Sequence, residues 1–212
     1  MATTQRTGLP FVDVTWLPTL LAGELQCLYQ PWLKSHFKYD KRPERTFNTA
    51  AWTQDHNQLV NQRAEVLRRA GWVVTLENQN AFRLHGQSAI LAGKPDIIAT
   101  RDKTMFIIDV KAGQQRNSDW WQVLIYMLVV PLVYPQDGIV RGEVLYRDHL
   151  ILVEPESLTP ARSDQVYALI RRLGTMDRPP TTPSQHDCAW CDIAECVDRF
   201  VETINPIETS AF

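Results

Sequence analysis

Apolar residues recur with a helical period over residues 49–70. At 100° per residue, Trp52, Leu59, Val60, Ala64, Val66, Leu67 and Ala70 fall on one arc. Gly71 then stops the helix as a C-terminal cap does. His56 lies near the centre of the arc and Glu65 on the opposite, wet side. Upstream, residues 14–37 read as helical, with interruptions near Pro18 and Pro31, and carry Cys27.

Beyond Gly71 the pattern changes to strands. Trp72–Leu76 and Ala81–Leu84 read as one pair around an Asn-Gln-Asn turn, and Ser88–Ala99 and Met105–Val110 as a second pair. Ser118 is placed to cap a helix running to about Val130, apolar nearly all round and therefore buried. Strands at about Ile139–Tyr146 and His149–Val153 follow, then a helix capped by Ser163 and ending before Gly174. Prolines 179, 180 and 183 mark a linker, and a short helix lies in the cysteine-bearing end. Helices alternating with strands in this order predict an α/β core with a mixed central sheet flanked by helices.

The 212 residues, 44% hydrophobic and 22% charged, suffice for one domain with a real core. Lys and Arg total 22 against 24 Asp and Glu, so a passive basic coat for nucleic acid is excluded. An enzyme that meets phosphates through bound metal is not. The longest apolar run, Val123 to Val130, falls short of the roughly 20 residues of a membrane span. The N-terminal residues lack the apolar segment of a secretory leader. The expectation is a soluble cytoplasmic protein with reduced thiols. A basic run holds Lys34, Lys38, Lys41, Arg42 and Arg45 against Asp40 and Glu44, and reads either as a solvated loop or as a lip guiding a polyanion.

The most informative stretch contains Pro95-Asp96 and, after twelve residues, Asp109-Val110-Lys111. The pleat puts Asp109 and Lys111 on one face, with Ile107, and Val110 and Ile108 on the other. A polar turn at Arg101-Asp102-Lys103-Thr104 returns the chain so that Asp96 lies beside Asp109. Two carboxylates suit Mg²⁺ or Mn²⁺, which polarise a phosphoryl oxygen and acidify a bound water. A lysine beside that water can orient or deprotonate it. An isolated Asp-x-Lys is usually a surface ion pair; here the preceding Pro-Asp and strongly apolar strands enlarge the match.

On Pro95-Asp96 and Asp109-Val110-Lys111 the sequence resembles the PD-(D/E)XK nuclease superfamily. The resemblance implies a restriction-endonuclease-like core and metal-dependent cleavage of nucleic acid, with the carbonyl of Val110 as a further metal ligand. Within the superfamily the chain resembles RecB-like nucleases, which place a metal-binding histidine on the helix before the strands. His56 holds that place, although Trp52 stands where their pattern has glycine. Gln122 and Tyr126, one helical turn apart, are by composition a buried polar pair that must be hydrogen-bonded. They also match the RecB-like Gln-x-x-x-Tyr, which implies contact with the substrate strand and support of the catalytic residues.

Cys188-Ala-Trp-Cys191 has a metal-binding spacing, with Cys196 after it and Cys27 far upstream. Four thiolates suit either tetrahedral zinc or a [4Fe–4S] cluster, and spacing does not choose between them. One cysteine before the core and three after it resembles the iron–sulfur RecB-like nucleases, including CRISPR-associated exonucleases of spacer acquisition. That resemblance implies a cluster tying the C-terminal segment to the N-terminal helix. The gap before Cys196 is shorter than the family's usual one, and His186 is a spare donor. The segments are then an N-terminal helical part over 1–48 with Cys27, a nuclease core over 49–178, and a metal-cluster segment over 179–212.

The leading expectation is a nuclease that cuts single-stranded DNA ends, with CRISPR integrase proteins as partners. The alternatives are a DNA-end-binding subunit of an integrase complex and a metal-dependent RNase or nucleotide phosphatase. No ATP use is expected: six residues separate Gly86 and Gly93, and Pro95 stands where a phosphate loop needs Ser or Thr.

Overall fold

The computed structural model describes residues 4–42 and 49–201. Glu44 and Arg45, counted in the basic run above, lie outside the described residues. The chain opens with β1 (Thr4–Gln5), β2 (Phe11–Asp13), α1 (Pro18–Leu21), α2 (Tyr29–His36) and β3 (Phe37–Lys38). The middle holds α3 (Thr49–Arg69), β4 (Val73–Leu76), β5 (Phe82–His85), β6 (Ile90–Gly93), β7 (Ile97–Arg101) and β8 (Thr104–Val110). Then come α4 (Asn117–Val133), β9 (Ile139–Leu145), β10 (Leu150–Val153), α5 (Pro160–Gly174) and α6 (Gln185–Trp190).

A five-stranded sheet in the order β10-β9-β8-β7-β4 forms the centre. It is mixed as expected: β8 and β9 run parallel, and the other neighbours antiparallel. Parallel neighbours need a crossover, and α4 supplies it. One face packs Met105 and Ile107 against Val123, Tyr126 and Met127 of α4. The other packs Ile97, Ala99, Ile108 and Val110 against Val60, Ala64 and Leu67 of α3. The alternation of Ile107 and Ile108 thus feeds two separate cores, as the pleat requires. Trp52 and Val66, placed on the apolar arc of α3, are instead exposed.

Several elements differ from the sequence expectation. The strand β4 pairs with β7, not with β5; β5 pairs with β6 in a second sheet of order β2-β6-β5. The expected strand over Ser88–Ala99 is two strands, because Pro95 has no N–H to continue a ladder and the chain passes from one sheet to the other there. The segment over 1–48 is not simply helical: β2 joins β6 in parallel, and Cys27 lies between α1 and α2 rather than on a helix. Pro18 opens α1 and Pro31 lies in the first turn of α2, where a missing N–H costs little. Finally, α5 starts earlier than Ser163, capped by Thr159, whose hydroxyl accepts from Arg162 N, with Pro160 in the first turn. Likewise α4 begins at Asn117, so Ser118 is inside it, and the helix continues through Pro131. Among the described residues no helix is long and apolar enough to cross a membrane.

Candidate active site

The hairpin of β7 and β8 brings the two carboxylates together. Its register pairs Ile97 with Ile108, so Asp96 and Asp109 are neighbours just beyond that pair. Asp96 Oδ2 accepts from Val110 N at 2.7 Å and lies 3.3 Å from His56 Nε2. This contact from α3 raises the His56 pKa, the hydrogen bond to Asp96 outweighing burial. Glu65, as its helical phase indicates, faces solvent and pairs with Arg69.

Asp109 is buried, 3% exposed, and burial pushes its carboxyl up to about 6 against the opposing charge of Lys111. Lys111 Nζ lies 2.7 Å from Asp109 Oδ2, but the angles leave that oxygen without a hydrogen bond. Burial would lower the Lys111 pKa; Asp109, Asp119 and Asp96 outweigh it, so the pKa is raised and the ammonium stays charged.

The helix α4 completes the set. Gln122 Nε2 donates to Asp109 Oδ1 at 2.9 Å, and Gln122 Oε1 accepts from Lys111 Nζ at 2.8 Å. Tyr126, one turn on, is buried, and its hydroxyl accepts from Lys94 N at 3.4 Å. Burial, with the Asp109 charge, raises the Tyr126 pKa, so the phenol stays neutral. Asp96, Asp109, Lys111, His56, Gln122 and Tyr126 all line one open cleft of about 820 Å³, together with Val110.

Two supporting residues escaped the sequence reading. Buried Asn80, after β4, donates from Nδ2 to the carbonyls of Thr75 and Pro95, each at 3.1 Å, and so fixes the bend that presents Asp96. Asp119, in the first turn of α4, accepts from Tyr146 Oη at 2.8 Å and lies 3.7 Å from Lys111 Nζ. Their signal was burial of a polar side chain, which a loop position or a helix start does not reveal.

The donor set suits a hard divalent ion. Asp109 offers a buried carboxylate whose Oδ2 is paired with Lys111 at 2.7 Å, and Asp96 stands beside it. Mg²⁺ typically takes one or two carboxylates and keeps several waters. Among the described residues, no group of three His, Cys, Asp or Glu side chains is set to hold a metal.

The four cysteines are free thiols, and all four line a second, small cavity. They converge without being gathered at ligand spacing. Carboxylates already hold the two chain ends together around them. Asp187 Oδ2 accepts from Gln26 N at 3.0 Å and Cys27 N at 2.9 Å. Asp192 pairs with Lys34 at 2.9 Å and accepts from Tyr39 Oη at 2.8 Å and Gln30 Nε2 at 3.1 Å. Burial opposes its ionisation, but Lys34, Tyr39 and Gln30 hold the Asp192 pKa below the usual carboxylate value. Lys34 is therefore engaged in the fold rather than part of a lip for a polyanion. Backbone pairs Arg42 N to Asp192 O and Ala194 N to Asp40 O extend the seam.

No curated protein sequence matches the chain. Among solved structures, one titled "Crystal structure of SSO0001" overlaps 89% of this chain and 85% of its own, at 12% identity and a TM-score of 0.46. The family model described as the PD-(D/E)XK nuclease superfamily matches residues 19–196, a span that includes Cys27, both aspartates, Lys111 and the last three cysteines. The paired carboxylates, the adjacent lysine and this match agree: the chain belongs to the PD-(D/E)XK nuclease superfamily, whose members are metal-dependent nucleases.

Proposed function

We propose that the protein is a deoxyribonuclease in which Asp96, Asp109 and the Val110 carbonyl hold Mg²⁺ or Mn²⁺, with His56 as a further ligand. The observation that carries this reading is the buried carboxylate of Asp109, paired with Lys111 at 2.7 Å and beside Asp96, on the wall of an open cleft. The bound ion supplies Lewis acidity and an acidified water. Lys111 stays cationic between Asp109 and Asp119, orients the attacking water and offsets phosphate charge. Gln122 fixes the spacing of Asp109 and Lys111, and Tyr126, one turn on, lines the same cleft.

The narrower reading is an exonuclease on single-stranded DNA ends in CRISPR spacer acquisition, with a [4Fe–4S] cluster on Cys27, Cys188, Cys191 and Cys196. Its support is the order of one cysteine before the core and three after it, and their shared cavity. The segments 1–48, 49–178 and 179–212 serve in this reading as anchor, nuclease core and cluster segment.

The test is cleavage of end-labelled single-stranded DNA, duplex DNA and RNA with Mg²⁺ or Mn²⁺. Metal-dependent shortening of single-stranded DNA from its ends is expected, with Asp109→Ala reduced to background while remaining folded. Lys111→Ala should lower turnover more than affinity, since stabilisation confined to the transition state appears in the rate. Unchanged turnover in Asp109→Ala would overturn the assignment.

A further inference from the structure

The indole of Trp52 is 44% exposed, although the helix that carries it buries Val60, Ala64 and Leu67 two to four turns further on. Core packing does not account for it. One side of the ring stacks on His56, with centroids 5.3 Å apart and planes 22° from parallel. His56 in turn contacts Asp96. Trp52 lines the same cleft as the two aspartates, as do Arg83 on β5 and Lys94 after β6. Arg83 is exposed and Lys94 is 48% exposed, its amine 3.7 Å from Glu77.

We propose that Trp52 stacks an unpaired nucleobase beside the scissile phosphate, while Arg83 and Lys94 bind the flanking phosphates, so that the cleft selects single strands. The inference rests on the nuclease reading and deepens it by naming the residue that reads strandedness. Aromatic stacking accepts any base, because every base has a π-face, and supplies affinity without sequence preference. In a duplex both faces of an internal base are covered by its neighbours, so the indole gains nothing there. Stacking on His56 holds the indole in one orientation, which reduces the rotamer entropy lost when a base arrives. The position one helical turn before His56, which contacts Asp96, keeps the stacked base within reach of the carboxylates.

The experiment walks a single 2-aminopurine along a short single-stranded oligonucleotide and reads its fluorescence with Mg²⁺ and Mn²⁺ omitted. Wild-type protein, Trp52→Phe and Trp52→Ala are compared, with circular dichroism as the fold control. Wild type should quench the probe at one position, and Trp52→Phe should retain the quench. Trp52→Ala should lose it, bind the single strand about tenfold more weakly, and lose a similar factor in its preference over duplex. No quench with wild type at any position overturns the proposal. So does a Trp52→Ala affinity within about twofold of wild type, or weaker binding with the quench intact. This binding readout does not depend on cleavage. Wild type that cleaves no nucleic acid would defeat the nuclease reading separately.

Discussion

Gln122 and Asp109 are joined by a 2.9 Å hydrogen bond from the amide to the carboxylate, across the gap between α4 and β8. The same amide accepts from Lys111, so one side chain sets the distance between the carboxylate and the ammonium. Groups that orient a metal ligand are typically worth 10–100-fold in metal affinity or activity. Gln122→Leu should therefore lower cleavage by about that range and raise the Mn²⁺ concentration needed for half-maximal rate. Gln122→Glu should restore neither, because a second carboxylate would face Asp109. A metal titration of both variants at saturating DNA checks this.

His56 separates a ligand from a packing residue. Its imidazole meets Asp96 Oδ2 and carries Trp52 on its face. His56→Ala should raise the metal requirement at a temperature where the variant is fully folded. Lower stability with an unchanged metal requirement would make it a packing residue only. His56→Asn, with a smaller amide in its place, should recover part of the stability and none of the metal affinity.

The cysteine cavity predicts colour. Protein prepared without oxygen should be brown and hold about four irons per chain, as a [4Fe–4S] centre does. Cys191→Ser should lose iron and colour together. Limited proteolysis gives the second readout: the segment after Pro179 should become more sensitive, yet only partly, because Asp187 and Asp192 still anchor it. Stoichiometric zinc in place of iron would reassign the metal and keep the clasp.

Arg63 on α3 grips Glu143 on β9 with two hydrogen bonds, the Nε to Oε1 one 2.8 Å long. Glu143 is 1% exposed. Burial raises its pKa, opposed by hydrogen bonding and charge from Arg63. A raised folded-state pKa means that the folded protein holds the proton more tightly. This contribution is present below about pH 4.5, the usual value, and is lost as pH rises through the folded value. Removing one partner of a buried pair typically costs about 3–5 kcal/mol. Since Arg63 is 23% exposed, Glu143→Leu should cost about 2–3 kcal/mol in urea unfolding, with Arg63→Met/Glu143→Leu recovering most of it. Glu143→Gln should remove the pH slope above about 4.5.

What the sequence revealed divides along physical lines. The helix α3 and the strand β8 are legible from apolar spacing, and α4 from a long run that is apolar nearly all round. The candidate site was legible because Asp109, Val110 and Lys111 alternate on one strand and Asp96 meets them through a short polar turn. Both are local relations. The partner of β4 was not legible: Val73–Leu76 is equally apolar whether it pairs with Phe82–His85 or with Ile97–Arg101, and only tertiary packing chooses. The start of α5 was misplaced because Thr159-Pro160 is a stronger helix opening than Ser163. Asn80, Asp119, Asp187 and Asp192 looked like ordinary polar residues; their roles come from partners far away in the chain.

The parallel pairing of β2 with β6 has a consequence for synthesis. Phe11–Asp13 is made early but has no strand to join until Ile90–Gly93 has emerged, and Gln26 and Cys27 wait longer still for Asp187. Such long-range closures are slow and come late in folding. On a ribosome, Phe11–Asp13 therefore stays unpaired until Ile90–Gly93 emerges, and Gln26 and Cys27 lack their carboxylate partner until Asp187 does. A truncated nascent chain already contains Asp96, Asp109 and Lys111, yet lacks the anchored ends that frame the cleft. In the order of synthesis, the contacts at Asp187 thus come after the aspartates and the lysine of the cleft.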